Sequence, residues 1–128
     1  MKKYINNIKA ILKENSKIKY AFLFGSGTKT LRPQSDIDIL VGGDLEFNDV
    51  TDLSMKLESK FNRKVDIVLI DAAASDVVLK AFFEGTLILV NDREKMKKDY
   101  FKNLYLYENS GNLRKLRTKR VRRRYENG

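Results

Sequence analysis

The sequence predicts an α/β domain, and three observations carry that prediction. Short apolar runs with strand character recur at residues 18–24, 36–41, 64–70 and 86–90. Between them lie segments whose apolar residues fall at helical spacing. Glycines, a proline and cap-forming residues mark the changes from one pattern to the other. The 128 residues suit one domain, and an apolar fraction of 42% is enough for one core. No internal repeat or low-complexity linker is present.

In chain order, Tyr4, Ile5, Ile8, Ile11 and Leu12 predict a helix over 4–14. Residues 18–24, Ile-Lys-Tyr-Ala-Phe-Leu-Phe, predict a strand ending at Gly25-Ser26. Residues 27–35, with Gly27 and Pro33, read as a loop that could hold a short helical turn after Ser26. A second strand over 36–41 is closed by Gly42-Gly43. Asp49 is the expected N-cap of a helix over 50–61, with Val50, Leu53, Leu57 and Phe61 as its apolar stripe. A third strand over 64–70 precedes a helix capped by Ser75 or Asp76 and stopped by Gly85. After a short strand over 86–90, Asp92 caps a longer helix with Met96, Tyr100, Leu104 and Tyr107 on one face. Ser110-Gly111 breaks it, and Leu113, Leu116 and Val121 suggest a further helix among basic residues. The organisation expected is a domain over 1–110 followed by a basic extension over 111–128.

Composition narrows the chemistry. The chain has no cysteine and no histidine. That removes disulfides, thiolate sites, imidazole bases, imidazole metal ligands and a Ser-His triad. Carboxylates, hydroxyls, lysines, arginines and bound ions remain. No apolar run approaches the roughly 20 residues of a membrane span. The residues after Met1-Lys2-Lys3 are amphipathic, which argues against a secretion signal. No membrane contact is expected, and the expected compartment is a bacterial or archaeal cytoplasm. The formal charge of +9 is uneven: residues 111–128 carry a net +7 and the rest +2. That asymmetry suits an acidic partner surface or an RNA or DNA backbone, and it equally suits a solvated helix end.

Candidate chemistry begins in the second strand. Side chains alternate along a strand, so Asp36 and Asp38 share one face while Ile37 and Ile39 point toward a core. Adjacent carboxylates repel and need cations, protons or water between them. Asp66 stands alone in an apolar strand, between Val65 and Ile67. Its bland explanation is an ion pair with Arg63 or Lys64; if its strand lies beside 36–41, it completes a cluster of three carboxylates. Such a cluster suits magnesium, and two ions could clamp the oxygens of a phosphoryl displacement. Gly25-Ser26 follows an apolar strand directly, where a glycine backbone and a hydroxyl could hold phosphate. By itself, this pair is an ordinary turn. Lys29 and Arg32 could neutralise phosphate or be solvated loop charges.

With these pieces in place, the chain resembles the minimal nucleotidyltransferase (MNT) branch of the DNA polymerase β-like superfamily. The matching residues are Phe22-Leu-Phe-Gly-Ser26, Ser35-Asp-Ile-Asp-Ile-Leu-Val41 and Val65-Asp-Ile67. The likeness continues through Phe82-Phe-Glu-Gly-Thr-Leu-Ile-Leu-Val90. The helix after it and the basic end resemble antitoxins of HEPN/MNT toxin–antitoxin pairs. The resemblance implies a polymerase β-like palm fold, with a small mixed sheet of about four strands flanked by helices. It implies that Asp36 and Asp38 bind two magnesium ions and that Asp66 binds the catalytic metal and helps deprotonate the acceptor. Gly25 and Ser26 would hold the nucleotide phosphates. The implied reaction transfers AMP from ATP to a tyrosine hydroxyl of a HEPN RNase toxin, releasing pyrophosphate. One departure is visible: residues 27–35 put nine residues between Gly25-Ser26 and Asp36, one fewer than is usual in the family.

Two other functions remain open at this point. A vestigial site would leave an antitoxin that neutralises by occlusion. Transfer to a small-molecule hydroxyl would need an acceptor pocket, for which the chain has little material. Template-directed polymerisation would need thumb and finger domains, which are not present in this sequence.

Overall fold

A computed structural model describes residues 2–24 and 36–109. Helix α1 (Lys2–Leu12) leads into strand β1 (Ile18–Phe24). Strand β2 (Ile37–Gly43) is joined through helix α2 (Phe47–Phe61) to strand β3 (Val65–Leu69). A 3-10 turn (Ile70–Ala72), helix α3 (Ser75–Glu84), strand β4 (Thr86–Val90) and helix α4 (Arg93–Asn109) follow. The strands form one sheet in the order β3-β2-β1-β4. β1 is antiparallel to both of its neighbours, and β2 is parallel to β3. Parallel pairing demands a crossover that returns the chain to the same end of the sheet, and α2 supplies it. This is the small mixed sheet flanked by helices that the resemblance implies. No helix among the described residues is long and apolar enough to cross a membrane. The turn after Ser26, the break at Ser110-Gly111, the helix near 113–121 and the basic extension lie outside the described residues.

Period-two alternation divides the core between two faces. Ile37, Ile39 and Val41 turn to one face, where they meet Ile8 and Leu12 of α1 and Leu53 and Leu57 of α2. Tyr20, Phe22 and Leu40 turn to the other, against Val78 and Ala81 of α3, with Met96 of α4 packed alongside. Fully burying one such aliphatic or aromatic side chain contributes about 1.5–3 kcal/mol.

Several boundaries differ from expectation, each for a local reason. Gly42 and Gly43 do not close β2 but lie within it, opposite Tyr20 and Ile18. The Tyr20 ring lies over Gly42 where a Cβ would stand, so the glycine makes room for the ring. Helix α2 starts at Phe47, three residues earlier than predicted, and Glu46 is its N-cap. Asp49 sits in the first turn, where it accepts the Glu46 N–H at 2.9 Å and the Lys17 ammonium at 3.0 Å. These contacts, the backbone one first, hold its carboxyl below the usual range. Ala74, not Ser75 or Asp76, occupies the cap of α3. Ile70 belongs to the 3-10 turn rather than to β3. Asp92 does cap α4, accepting the Lys95 N–H at 3.0 Å.

Helix α4 departs most from its pattern. Met96, Tyr100, Leu104 and Tyr107 are half-buried, and the deepest residues are Asp99 and Asn103. The Tyr20 hydroxyl donates to Asp99 at 2.8 Å, and the Lys95 ammonium reaches the same carboxylate at 3.1 Å. Asn103 donates its amide to the Asp99 carbonyl at 2.8 Å. Burial, then the bond to Asp99, pushes the Tyr20 phenol well above its ordinary range.

Two substitutions test this packing. Tyr20→Phe leaves the buried Asp99 short of a donor and should lower unfolding free energy by about 1–3 kcal/mol in urea titrations, while Tyr105→Phe at an exposed hydroxyl should not. Gly42→Ala forces a methyl into the Tyr20 ring and should cost about 1–3 kcal/mol or more by the same measurement.

Candidate active site

The parallel strands β2 and β3 are in register, with Ile37 opposite Val65, Asp38 opposite Asp66 and Ile39 opposite Ile67. In-register residues of neighbouring strands project to the same face, so the two carboxylates stand side by side. The Ile37 N–H donates to the Lys64 carbonyl at 2.9 Å, tying the entrances of the two strands together. On the other side, Phe24, the last residue of β1, lies opposite Asp38. Asp38 thus shares its face with Leu40, Phe24, Val68 and Asp66, the face that α3 and α4 cover farther along the sheet. At this end Asp38 is half-buried and Asp66 exposed. Asp36 is exposed one residue before β2 begins.

Electrostatics couples the three acids. Burial, then the charge of Asp66, then that of Asp36, pushes the Asp38 carboxyl above its ordinary value, while Lys64 pulls the other way. Both neighbouring charges therefore bear on Asp38. Among the described residues Asp66 has no ion pair, and the Arg63 guanidinium stands over the Tyr4 ring at 5.7 Å instead. Lys64, weighed from sequence as a partner of Asp66, places its charge on Asp38. Strand alternation puts residue 64 on the face of residue 66, and the β2–β3 register brings that face to Asp38.

Among the described residues, no three His, Cys, Asp or Glu side chains are gathered closely enough to hold a metal ion. The donor chemistry nonetheless fits magnesium. Carboxylate oxygens are its preferred protein ligands, and a cation between Asp38 and Asp66 would relieve the repulsion on Asp38.

Gly25 and Ser26, with Lys29 and Arg32, lie outside the described residues. The described chain leaves β1 at Phe24, opposite Asp38, and resumes at Asp36. One hollow among the described residues lies between α1 and α2, lined by Ile11, Met55 and Lys56, on the sheet face away from the acids. The buried Tyr20–Asp99–Lys95 set was not found from sequence. Asp99 reads there as one more charge in a charged helix.

A carboxylate pair at one end of a mixed sheet, with Asp36 one residue before the strand, has the donor chemistry that phosphoryl transfer uses. Residues 6–94 match the polymerase β nucleotidyltransferase family, and the chain belongs to that family. A Methanocaldococcus jannaschii protein provisionally named a protein adenylyltransferase is 36% identical over 70 residues, spanning 54% of this chain and 68% of the relative. Solved structures share the fold. A chain of a toxin–antitoxin complex with AMP-PNP aligns with a TM-score of 0.72 at 24% identity, covering 91% of this chain and 97% of that one. A chain from the complex of a tri-AMPylated Shewanella oneidensis HEPN toxin with its MNT antitoxin aligns at 0.71 and 22%, covering 94% and 97%.

The Asp38 geometry makes a testable statement about stability. A carboxyl whose value is raised in the folded state penalises folding above that value, and the penalty vanishes once it is protonated in both states. In buffer containing EDTA, Asp38→Asn should therefore raise Tm at neutral pH. Its advantage should shrink as pH falls through the folded value and vanish below the ordinary carboxylate range, read by thermal melts across pH.

Proposed function

We propose that this protein is an MNT-type antitoxin that transfers AMP from ATP to a tyrosine hydroxyl of a cognate HEPN RNase toxin, neutralising it. The observation that carries the reading is the Asp38–Asp66 pair, set side by side by in-register parallel strands with Asp36 adjacent. Its relatives support the choice of substrate class: one is provisionally named a protein adenylyltransferase, and similar folds occur with AMP-PNP and with a tri-AMPylated HEPN toxin.

In this reading Asp36, Asp38 and Asp66 hold magnesium, with Gly25 and Ser26 on the nucleotide phosphates. Magnesium held by these carboxylates would supply positive charge against the triphosphate and against charge developing on the transferred oxygens. Asp66, the exposed member of the pair, faces the acceptor and takes the proton of the tyrosine hydroxyl. The phenolic oxygen forms a bond to the α-phosphorus as the bond from that phosphorus to the bridging oxygen breaks. Pyrophosphate leaves with the bonding pair, and the product is a tyrosyl-AMP phosphodiester. Asp38, half-buried between Phe24 and Asp66, is the fixed member that the strands orient. The apolar residues on the opposite face, Ile37 and Ile39, anchor it without contributing to the chemistry.

Incubation of the full chain with ATP, magnesium and the HEPN protein should add AMP to the toxin, read as a mass increase on a tyrosine peptide. Asp36→Asn/Asp38→Asn should reduce that labelling by about 10³-fold or more, as expected when the charge-stabilising centre is lost. The nine-residue segment 27–35 favours one other reading, occlusion of the toxin without catalysis. A double variant that still protects cells, with no AMP on the wild-type toxin, would establish occlusion instead.

A further inference from the structure

Phe83 of α3 and Phe101 and Tyr105 of α4 are 66%, 62% and 66% exposed. They are not scattered. Tyr100 stands between the two phenylalanines, with ring centroids 6.0 Å from Phe83 and 5.3 Å from Phe101. Tyr100 in turn packs on Phe82 at 5.3 Å, and Phe82 packs on Tyr20 and Phe22 beneath. The surface rings are therefore tied through Tyr100 and Phe82 to the core. Phe101 and Tyr105 are one helical turn apart and face the same way. Grouped exposed aromatic area of this kind marks an interaction site, and aromatic side chains are the usual anchors of protein interfaces.

Charge decides what can sit there. Lys97 and Lys98 lie one turn before Phe101, and Lys102 lies beside it, all exposed. Among the described residues none of these three is in an ion pair, whereas Lys95 is held by Asp99. Glu94 lies a turn farther toward the N-terminus, at the margin of the patch. Glu84 lies beside Phe83, also exposed, yet a second copy would still set the three lysines around Phe101 against lysines. The chain's own residues 111–128 carry a net +7, a charge that does not complement these lysines. Nucleic acid phosphates would suit the lysines, but Tyr100 meets Phe83 and Phe101 at 89° and 69°, so the rings do not form one continuous stacking platform. A protein surface with an apolar centre and acidic margin satisfies both rings and lysines. Helices α3 and α4 also cover the sheet face to which Asp38 and Asp66 project, so a protein seated there lies on the side where transfer is proposed.

We propose that the outer face of α3 and α4, centred on Phe83, Phe101 and Tyr105, docks the acceptor protein through an acidic-rimmed apolar surface of that partner. This rests on the reading of the protein as an enzyme acting on a HEPN toxin. The test uses the full chain and that HEPN protein, with affinity read by calorimetry and AMP addition read by mass. Phe83→Ser/Phe101→Ser, and separately Lys97→Glu/Lys102→Glu, should weaken binding roughly tenfold or more with Tm unchanged. Phe47→Ser, more exposed still but on α2, should not weaken it, nor should Asp38→Asn. With the toxin saturating, the patch variants should still transfer AMP.

Wild-type affinity in both patch variants overturns the surface and leaves the enzymatic reading standing. Absence of both binding and labelling with the wild-type chain overturns both. Conversion of a wild-type dimer to monomer by the phenylalanine variant would assign the surface to a second copy. Equal loss of RNA binding, with toxin binding intact, would assign it to nucleic acid. Either result overturns the proposal.

Discussion

Asp38 and Asp66 stand side by side because β2 and β3 pair in parallel and in register, and a slip of one residue in either strand would turn one carboxylate to the opposite face. That opposite face is filled by Ile37, Ile39, Val41 and Val65, which meet Leu53 and Leu57 of α2. A slip would drive an aspartate into this apolar layer, where an unpaired charge is costly. The same alternation that builds the core thus fixes the acids. The burial of Asp38, and after it the charges of Asp66 and Asp36, raise that carboxyl and are a standing cost of the site. It is local and partly exposed, and the several apolar side chains locked behind it, at about 1.5–3 kcal/mol each, outweigh it.

The two faces of the sheet are built differently, and the difference follows the site. The α1–α2 face is wholly apolar at its centre. The α3–α4 face mixes aromatic rings with a buried carboxylate, the one that Tyr20 and Lys95 hold. The Asp99 carboxylate is satisfied by a phenol and an ammonium, and its backbone carbonyl accepts the Asn103 amide, so the residue is retained at little cost. The arrangement fixes α4 to the sheet through β1. Gly42 takes part by leaving room for the Tyr20 ring. One end of this face carries the acidic pair and the middle carries the helices, so a single surface holds both.

Most of the fold was legible because strands and helices declare themselves by periodicity. Ile37 and Ile39 alternating with Asp36 and Asp38 gave both the strand and the orientation of its acids. The boundaries that shifted did so where tertiary contacts override local signals. Gly42-Gly43 reads as a turn, but the Tyr20 ring across the ladder needs the glycine inside the strand. Asp49 reads as a cap, yet Lys17, far away in sequence, and the Glu46 N–H draw it into the first turn instead. Asp99 was illegible because its partners lie on β1 and one turn back on α4, and no local spacing reports a contact across 79 residues. Of the candidate site, the pairing of Asp38 with Asp66 could be conjectured from the order of elements. The influence of Lys64 on Asp38 needed the register.

The shared fold survives at 22–24% identity in the toxin–antitoxin complexes because its requirements are few and general. Many apolar residues would serve at Ile37, Ile39 or Val65, since what the site needs from them is burial on the correct side. Positions 38 and 66 are different, because no apolar side chain of similar shape carries the charge of a carboxylate. Family membership follows the same division: the match runs from residue 6 to 94 and ends at the second residue of α4. Phe101, Tyr105 and the lysines around them lie beyond it. The common part carries the strand register and the acids that the register sets side by side. The outer residues of α4 can vary without disturbing that part, since they touch neither the register nor the apolar layer behind the acids.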